Sequence, residues 1–299
     1  MRALVTGASG FLGGVVCRDL LARGDEVHAL VRREGSAPAG TTAVLGDLTD
    51  AAALTAAVAG AQPDVVFHLA AEIASQRSEE RIREVNVEGT RRLVEACKAA
   101  PAPPKLVFTS TVVTGEAGGK VLTEDEPLNV ETPYGRSKQD GEKMILESGL
   151  RASVIRPSHV YGPGGWYAHD IIKRLKEPGR LAVVGRGDNL WDVVHVDDVS
   201  SACLAAADNA AADGEIFHCA DDTPTTYNDF IALTARELGV GPPRHAPVFL
   251  AKLLAGPNTV KAVVRSARSS NAKLKNTLGW APRYATSADG VPAAVAGLR

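Results

Sequence analysis

The chain has 299 residues, of which 45% are apolar and 23% charged, with 33 basic and 35 acidic side chains. This near-neutral balance argues against nucleic acid as the main partner, because phosphate binding requires a concentrated positive surface. Apolar stretches end well before the roughly 20 residues that a membrane span requires, and no signal peptide is visible. We therefore expect a cytoplasmic globular protein that does not bind membranes, with reduced thiols at the widely spaced Cys17, Cys97, Cys203 and Cys219.

Strand-like and helix-like patterns alternate through the first half of the chain. The predicted strands cover residues 2–6, 26–31, 43–45, 65–70 and 105–110, and the predicted helices cover 12–23, 51–59 and 78–99. These strands are short apolar runs, which is typical of a buried parallel sheet. Because strands alternate with helices and no hairpin turn appears, the pattern predicts an α/β fold with a doubly wound parallel sheet.

The pattern loosens after residue 111. Long loops are predicted at 114–133 and 161–165, and loops of this length inside a compact domain are usually functional. The predicted elements of this half are helices at 134–147, 168–176, 197–208, 226–238 and about 271–278, and strands at 152–156, 181–184, 193–195 and 215–219. We expect the second half to interleave with the first sheet and to form a smaller lobe.

A glycine-rich turn, Gly7-Ala8-Ser9-Gly10-Phe11-Leu12-Gly13, joins the first strand to the first helix. In such a turn Gly7 permits the bend, Gly10 lets a pyrophosphate approach the backbone, and Gly13 lets the helix pack closely on the strand. The helix N-terminus adds free N–H groups and a partial positive charge. The letters alone arise easily by chance, but their place at the first strand–helix junction predicts a mononucleotide or dinucleotide site.

The end of the second strand indicates which dinucleotide is bound. An acidic residue there would bind the adenosine ribose 2′-hydroxyl, whereas this chain has Arg32 and Arg33. Arginine suits a phosphate dianion, so the sequence favours NADP(H), with NAD(H) possible if the two arginines are only solvated surface charges. Asp47 and Leu48, just past the third strand, are either adenine contacts or part of an ordinary turn.

Three further residues form a proton-transfer set. Tyr134 and Lys138 are one helical turn apart, and an ammonium group beside a phenol is expected to lower the tyrosine pKa. Ser110 ends a predicted strand at the edge where parallel sheets bind ligands, and its hydroxyl can polarise a substrate carbonyl. The Tyr-x-x-x-Lys spacing is common by chance, but its combination with the glycine turn and Ser110 is not.

With these motifs the chain resembles an extended short-chain dehydrogenase/reductase of the NAD-dependent epimerase/dehydratase type, over nearly its whole length. The matching segments are residues 6–13 (TGASGFLG), 46–48 (GDL), 68–71 (HLAA), 86–90 (NVEGT), 109–110 (TS), 134–138 (YGRSK), 156–157 (RP) with 160–163 (VYGP), and 195–199 (HVDDV). The resemblance implies a Rossmann dinucleotide domain, residues 1–157 with a strand and helix returning from about 185–220. It also implies a smaller substrate lobe, mainly 158–299.

The resemblance also implies roles for individual residues. Ser110, Tyr134 and Lys138 are the implied catalytic set, with hydride transfer coupled to the Tyr134 proton. The implied cofactor-binding set is Gly7, Ser9, Gly10, Phe11, Leu12, Gly13, Arg32, Arg33, Asp47, Leu48, Leu69, Ala70, Ala71, Asn86, Tyr134, Lys138 and Pro157. No metal is implied. A homodimer through the helices near 78–99 and 134–148 is expected, although apolar helix faces alone do not distinguish a dimer interface from core.

The substrate side departs from the family pattern at one position. Family members that act on nucleotide sugars usually carry an Arg inside a segment like GDGxxxRDFxxV, and Trp191 stands there in this chain, as a pocket wall or as a packing residue. Losing that diphosphate clamp argues against a nucleotide sugar, unless Arg186 replaces it. The other candidate substrate residues are Val112, Val113, Ser158, His159, Trp166, Tyr167 and His169, and His159 and His195 are alternatively structural.

Three functions are compatible with these features. The leading prediction is an NADP(H)-dependent reductase or dehydrogenase acting on a carbonyl or alcohol of a small molecule. The second is a sugar epimerase or dehydratase that keeps NAD tightly bound and recycles it. The third is a non-catalytic NADP-sensing protein of the same fold, which the intact Tyr134–Lys138 pair disfavours.

Overall fold

The computed structural model describes residues 1–73, 75–113, 119–177, 181–255, 260 and 263–298. The strands are β1 (Arg2–Thr6), β2 (Glu26–Val31), β3 (Thr42–Leu45), β4 (Val65–His68), β5 (Lys105–Thr109), β6 (Val121–Leu122), β7 (Ala152–Pro157), β8 (His159–Tyr161), β9 (Ala182–Val184), β10 (Leu190–Trp191), β11 (Val193–His195), β12 (Ile216–Cys219), β13 (Thr225–Thr226), β14 (Arg244–Ala246) and β15 (Arg268–Ser269).

The helices are α1 (Phe11–Ala22), α2 (Ala51–Ala61), α3 (Glu79–Ile82), α4 (Gly89–Lys98), α5 (Pro133–Leu146), α6 (Lys173–Lys176), α7 (Val196–Asp208), α8 (Tyr227–Glu237), α9 (Val248–Ala255), α10 (Ala272–Leu278) and α11 (Ser287–Ala296). Two π-helical segments, Arg83–Glu88 and Tyr167–Ile172, run into α4 and α6, and a 3₁₀ turn covers Ala210–Ala212.

Seven parallel strands form the central sheet in the order β12-β7-β5-β4-β1-β2-β3. β1 lies at its middle and pairs with β2 from Arg2 opposite Glu26 and with β4 from Ala3 opposite Val65. The direction of winding reverses between β1 and β4, so the carboxyl ends of these two strands form the switch point where such sheets bind ligands. The predicted doubly wound parallel sheet is confirmed, and β12 from the second half of the chain extends it beside β7.

Helices cover both faces of the sheet. α1 and α7 pack against one another over one face, and α2, α4 and α5 lie over the other. Local chemistry fixes where these helices begin: Asp50 accepts a hydrogen bond from Ala53 N–H at the start of α2, and Thr132 accepts one from Gly135 N–H at the start of α5. Side-chain caps of this kind satisfy N–H groups that a helix cannot pair internally.

A separate, largely aromatic core belongs to the second half of the chain. It contains Tyr161, Tyr167, Trp191, Tyr227 and Phe230, all nearly excluded from solvent. Short two-stranded pairs surround it: β8 with β11, β9 with β14, and β10 with β13. Elements this short have little pairing energy of their own, so burial of these rings supplies the cohesion of this lobe.

The structure differs from the sequence prediction in defined places. The strand expected over 65–70 ends at His68, because the next two N–H groups bind a side chain instead of the sheet. The helix expected over 78–99 contains a π-helical segment. The elements that were not predicted are β6, β8, β10, β13, β14, β15, α9 and α11. Residues 114–118 of the predicted loop lie outside the described part of the chain.

All four cysteines are free, in agreement with the widely spaced positions, and all four are buried. Among the described residues no helix is long and apolar enough to cross a bilayer. The same part of the chain contains no cluster of three His, Cys, Asp or Glu side chains that is suited to a metal ion.

A buried carboxyl beyond β12 makes stability depend on pH. Burial and the nearby charge of Asp198 raise the pKa of Asp221 to about 9. Between pH 4 and pH 9 the folded protein therefore holds a proton that the unfolded chain releases, and the free energy of unfolding falls as pH rises. We expect Asp221→Asn to unfold like the wild type near pH 4 and to become increasingly more stable than it towards pH 9. Urea unfolding across this range measures the difference, and a constant difference would contradict the assignment.

Candidate active site

The glycine turn brings β1, α1 and the end of β4 into direct backbone contact. Gly7 has φ +71°, and a Cβ there would lie 2.8 Å from the backbone nitrogen of Ala70. A Cβ at Gly13 would overlap the carbonyl oxygen of Gly7. Helix α1 begins after Gly10 with no side-chain cap, so its first N–H groups are left for an anion. At its glycine positions the turn therefore presents bare backbone, which fits the pyrophosphate of a dinucleotide. We call this turn, residues 7–13, the dinucleotide cradle.

Phe11 opens helix α1 under the loop that follows β8. A Cβ at Gly165 would lie 2.6 Å from the Phe11 ring, and one at Gly164 would lie 3.0 Å from it. Residues 162–165, which belong to the loop predicted at 161–165, thus lie directly against the start of the glycine turn. Of the remaining cradle residues, Ser9 is exposed and Leu12 is half-buried.

A buried hydrogen-bond chain begins at this turn. The N–H groups of residues 69 and 70 both donate to Thr6 Oγ1 at 3.2 Å, and that oxygen lies 2.8 Å from His68 Nδ1. Across the ring, His68 Nε2 lies 2.8 Å from Thr90 Oγ1, which donates to the carbonyl oxygen of Asn86 at 2.6 Å. Because the Thr90 hydroxyl is used as a donor, His68 donates from Nε2 and accepts at Nδ1. The cofactor loop and the helical layer are thereby joined through one neutral imidazole.

The chain continues through Asn86 to helix α5. Asn86 Nδ2 donates to Ser137 Oγ at 2.9 Å, and Ser137 Oγ donates to the carbonyl oxygen of Tyr134 at 2.7 Å. The Asn86 amide also binds the N–H and carbonyl of Glu72 at 2.7 and 3.0 Å, so all its polar atoms are used. Asn86 lies in the π-helical segment, a local widening that proteins often use to present a functional side chain. Asn86 therefore orients the first turn of α5.

Lys138 lies in helix α5, and its side chain is buried. Its Nζ lies 4.2 Å from the centre of the Phe108 ring on β5, two residues before Ser110. Burial lowers the pKa of Lys138 to about 8, and the charge of Glu142 one turn further along the helix opposes that decrease. The ammonium group is thus stabilised by an aromatic face and by a carboxylate.

Tyr134 differs from the sequence expectation. The spacing predicted that Lys138 lowers the tyrosine pKa, whereas burial raises the pKa of Tyr134 to about 12. The prediction is wrong for this structure because burial disfavours the charged phenolate. Tyr134 is consequently protonated at neutral pH and able to donate.

A buried ion pair lies one turn beyond Lys138. Arg156 Nε and Nη2 donate to the two carboxylate oxygens of Glu142 at 2.8 and 2.7 Å, and both side chains are almost fully enclosed. The Arg156–Glu142 pair was not predicted from the sequence. The spacing of Glu142, four residues after Lys138 on the same helix face, was nevertheless a recognisable signal for a buried charge partner. Since removing one partner leaves an uncompensated buried charge, the pair locks α5 onto β7.

Ser110 directly follows β5 at the carboxyl edge of the sheet. Its Oγ is buried and has no hydrogen-bond partner among the described residues, which fits a substrate oxygen as the missing partner. Ser110 N–H donates to Ile155 and Val112 N–H donates to Pro157, so the segment after β5 runs beside the end of β7. Ser158, whose Oγ is likewise buried and without a partner in the described chain, follows directly.

The adenosine end of the candidate cofactor site lies beyond β2 and β3. Arg32 and Arg33 are exposed, and the charge of Arg32 reaches the Asp47 carboxyl. Burial alone would raise the pKa of Asp47, but hydrogen bonds from Thr49 and the charge of Arg32 lower it. Leu48 is buried against Gly89 and belongs to the core, while residues 69–71 are half-buried at the end of β4.

The substrate-side aromatic residues form one stack. The His159 ring lies 4.4 Å from Trp191 and 6.5 Å from Trp166, centre to centre, and Trp191 also meets Tyr227 at 4.4 Å. Trp191 is nearly buried, so it is a packing residue of the lobe core as well as a member of this aromatic group. Tyr167 is fully buried with its hydroxyl on Thr234, which places it in the core.

His159 is held in one neutral form. Its Nδ1 donates to the carbonyl oxygen of Asp192 at 2.9 Å, and its Nε2 accepts the Trp191 indole N–H at 2.8 Å. Burial lowers the pKa of His159 to about 3, so it does not act as a proton donor at neutral pH. His195 caps α7 by accepting Asp197 N–H at 3.2 Å, in agreement with the structural role considered for it.

Trp191 stands where family members that act on nucleotide sugars usually carry a diphosphate-binding Arg. Arg186 is strongly exposed and binds the adjacent Asp188, so it does not replace the arginine that Trp191 displaces. Arg265 was not singled out from the sequence, and its Nη2 donates to the carbonyl oxygen of Val112 at 3.3 Å. Val113 is half-buried beside that contact. No local pattern around Arg265 signals this position, because it depends on tertiary packing.

The fold and the site together define an extended short-chain dehydrogenase/reductase, a class of enzymes that use nicotinamide dinucleotides. The model of the NAD dependent epimerase/dehydratase family matches residues 3–220. The chain belongs to that family, and the resemblance inferred from the motifs is confirmed.

Relatives of known activity include reductases and epimerases. The chain is 32% identical over 303 residues to a "3-diazoavenalumate denitrifying reductase" of Streptomyces sp, covering 97% of this chain and 99% of that one. It is 33% identical over 249 residues to a "2-alkyl-3-oxoalkanoate reductase" of Stenotrophomonas maltophilia, covering 77% and 74%. Among solved structures, the Thermus thermophilus UDP-glucose 4-epimerase in complex with NAD has a TM-score of 0.83 and 28% identity, covering 100% and 99%.

Two neighbouring glycines of α1 allow a matched test of the cradle. Gly13→Ala forces the helix away from the Gly7 carbonyl, whereas a Cβ at Gly14 meets only the Ala8 carbonyl oxygen at 3.8 Å. We expect Gly13→Ala to weaken NADPH binding at least about 10-fold, since overpacking costs about 1–3 kcal/mol. Gly14→Ala should bind normally and unfold at no lower temperature. Fluorescence titration with NADPH measures both, and equal affinities would contradict the close-approach model.

Proposed function

We propose that this protein is an NADP(H)-dependent reductase that converts a carbonyl group of a small, non-nucleotide molecule to an alcohol. The observation that carries the proposal is the buried hydroxyl of Ser110, which has no hydrogen-bond partner among the described residues and directly follows β5, the strand whose Phe108 ring lies against Lys138 of helix α5. Both curated relatives described above are reductases, which favours net reduction over redox-neutral recycling.

The cofactor is assigned to the cradle at the β1–α1 junction. Gly7, Gly10 and Gly13 would hold the pyrophosphate, Arg32 and Arg33 the 2′-phosphate, and Lys138 and Pro157 the nicotinamide end. When bound, the nicotinamide supplies the hydride for the carbonyl carbon. The two arginines are the support for NADP(H), since an exposed guanidinium suits a phosphate dianion.

The chain's own residues provide the proton and the positioning. Ser110 Oγ donates a hydrogen bond to the substrate carbonyl oxygen and polarises it. Tyr134, protonated at neutral pH, gives its proton to that oxygen as the alcohol forms. Lys138, one helical turn from Tyr134, supplies a positive charge on the same helix face, and the charge of Glu142 favours the charged form of Lys138. Asn86 orients the helix turn that carries Tyr134.

Two features argue against a nucleotide-sugar substrate. Trp191 occupies the place of a diphosphate-binding arginine and is packed into the lobe core, and Arg186 points to Asp188 at the surface. The names of the two curated relatives denote carboxylate anions and not nucleotides. The second candidate is an epimerase that recycles bound NAD, favoured by the full-length similarity to the Thermus enzyme.

Absorbance assays distinguish the two functions. If the protein is a reductase, we expect it to purify without a stoichiometric amount of bound NAD. We also expect it to oxidise NADPH in the presence of at least one member of a panel of aryl and alkyl ketones. Stoichiometric co-purifying NAD, thermal stabilisation by UDP-glucose and no NADPH oxidation would reject the reductase. A homodimer through α4 and α5 is part of the proposal and is measured separately by light scattering.

Removal of the Tyr134 hydroxyl tests the proton donor. We expect Tyr134→Phe to lower turnover at least about 100-fold, because general acid catalysis contributes about 10²–10⁴-fold. Cofactor affinity should stay within a factor of about two, since the ring remains in place. Tyr284→Phe, a tyrosine stacked on His195 outside the site, is the control and should keep full activity. Undiminished activity of Tyr134→Phe would assign the proton to another group.

The preference for NADP(H) is tested at the end of β2. We expect Arg32→Gln to weaken NADPH binding about 10-fold and to leave NADH binding unchanged, because a charge-assisted hydrogen bond to phosphate contributes about 1.5–3 kcal/mol. Arg33→Gln in parallel shows which of the two arginines carries the contact. Equal loss for NADPH and NADH would indicate a general charge effect.

A further inference from the structure

We propose that the Ser158 hydroxyl binds a second carbonyl oxygen of the substrate, so that the enzyme acts on dicarbonyl compounds. In such a substrate Ser110 contacts the carbonyl that is reduced, and Ser158 contacts the one that is not. The inference rests on the proposed reductase function and identifies the substrate class of the same site. It assigns Ser158 as a specificity-determining residue, separate from the proton donor.

The Ser158 hydroxyl needs a hydrogen-bond partner that the described chain does not supply. The residue is 3% exposed, and its Oγ has no partner among the residues that the structure describes. Buried polar groups are hydrogen-bonded in the great majority of cases, so an unmade bond calls for an explanation. A carbonyl oxygen of a ligand is an acceptor for this hydroxyl.

Strand alternation places Ser110 and Ser158 on the same face of the central sheet. Phe108 on β5 and Arg156 on β7 both contact side chains of helix α5. Side chains two residues apart along a strand point to the same face. Ser110 is two residues beyond Phe108, and Ser158 is two residues beyond Arg156. Both hydroxyls therefore lie on the side of the sheet that α5 covers.

The backbone pairing that sets this alternation continues beyond β5 and β7. Ser110 N–H donates to the carbonyl oxygen of Ile155 at 2.7 Å, and Val112 N–H donates to that of Pro157 at 3.1 Å. On the other side of β7, Ser158 N–H donates to a carbonyl oxygen of β12 at 2.9 Å. Bonds at every second residue are those of a regular parallel pair, so both serines retain strand geometry.

The two hydroxyls are spaced for two oxygens of one small molecule. β5 and β7 pair with Thr109 opposite Ile155. Ser110 therefore lies opposite Arg156, two residues before Ser158, and standard sheet spacings put the Cα atoms of the two serines about 8 Å apart. With a hydrogen bond of about 2.8 Å at each end, the ligand oxygens lie about 3–8 Å apart. Carbonyl oxygens of 1,3-, 1,4- and 1,5-dicarbonyl compounds cover this range.

The position of Tyr134 shows which of the two oxygens is protonated. Helix α5 connects the parallel strands β5 and β7, so it runs opposite to them and begins at their carboxyl edge. Tyr134 precedes Lys138 by about 6 Å along the helix axis, and Ser110 follows Phe108 by about 6.6 Å along its strand. Because Lys138 lies against Phe108, Tyr134 is level with Ser110. Ser158 is further out, at the level of the second oxygen.

Matched pairs of ketones test the second contact. The probes are 1-phenyl-1,3-butanedione, 1-phenyl-1,4-pentanedione and 1-phenyl-1,5-hexanedione, each compared with the 1-phenyl monoketone of the same carbon chain. Calorimetry measures their binding in the presence of saturating NADP⁺. We expect Ser158→Ala to reduce the ratio of diketone to monoketone affinity about 3- to 10-fold for at least one pair, the loss of one hydrogen bond between uncharged groups.

Ser153→Ala is the matched control. Ser153 also lies on β7, and its hydroxyl is likewise buried with no partner in the described part of the chain. It alternates with Ile155 on the opposite face, in the core beneath α1 and α7. The replacement should leave every affinity ratio unchanged. Should Ser158→Ala fail to fold, Ser158→Cys takes its place, since a thiol keeps the shape and is a weak donor.

The outcomes separate this inference from the proposed reductase. An unchanged ratio for every pair, or diketones that do not bind, would overturn the role of Ser158 even if other ketones support NADPH oxidation. A weaker NADP⁺ affinity in a variant that melts like the wild type would place the hydroxyl on the cofactor and overturn it as well. A preference that depends on Ser158 without turnover of any probe would support the contact while counting against the reductase.

Discussion

One buried hydrogen-bond chain holds the glycine turn after β1 and helix α5 in a single arrangement. It runs from the N–H groups after β4 through Thr6, His68 and Thr90 to Asn86, and then through Ser137 to the carbonyl of Tyr134. Burial, with the charge of Lys138, lowers the pKa of His68 to about 3, so the ring keeps one protonation state at neutral pH. Each donor in the chain has a defined acceptor, which is how a buried polar network specifies a unique geometry. Ends of strands that are distant in sequence thereby become one site.

The charged side chains on and beside helix α5 are buried and lie close to groups of opposite charge. Lys138 and Arg156 are both buried cations, and Glu142 is the carboxylate between them. A buried ion pair seldom adds stability over an apolar replacement, but it fixes orientation, and here it fixes the helix that presents Tyr134. The cost of enclosing these charges falls on the helix that carries Tyr134, the proton donor that we propose. The same enclosure keeps Tyr134 protonated, which suits donation to a forming alcohol.

The sequence predicted the parts of the fold that depend on local pattern and short motifs. The parallel strands and the glycine turn were recognisable because their apolar runs and spacing are intrinsic to one segment. The short strands β8, β10 and β13 were not, because two or three residues have no period and pair only once the lobe is assembled. Helix α11 was hidden by Pro292, although its Thr286–Asp289 capping box was a readable signal. The contact of Arg265 with Val112 was not predicted either, because it joins residues that are far apart in the sequence.

Trp191 links the packing of the smaller lobe to the substrate class that we propose. The indole packs against Tyr227 and Phe230 on one side and donates a hydrogen bond to His159 on the other. An arginine at this position would place a charge within an aromatic core and leave the His159 acceptor without its indole donor. Burying an unpaired charge costs several kcal/mol even after relaxation, about as much as many domains have to spare. Replacing Trp191 by an arginine therefore requires repacking of the lobe and not one substitution, which supports the proposal that the substrate is not a nucleotide sugar.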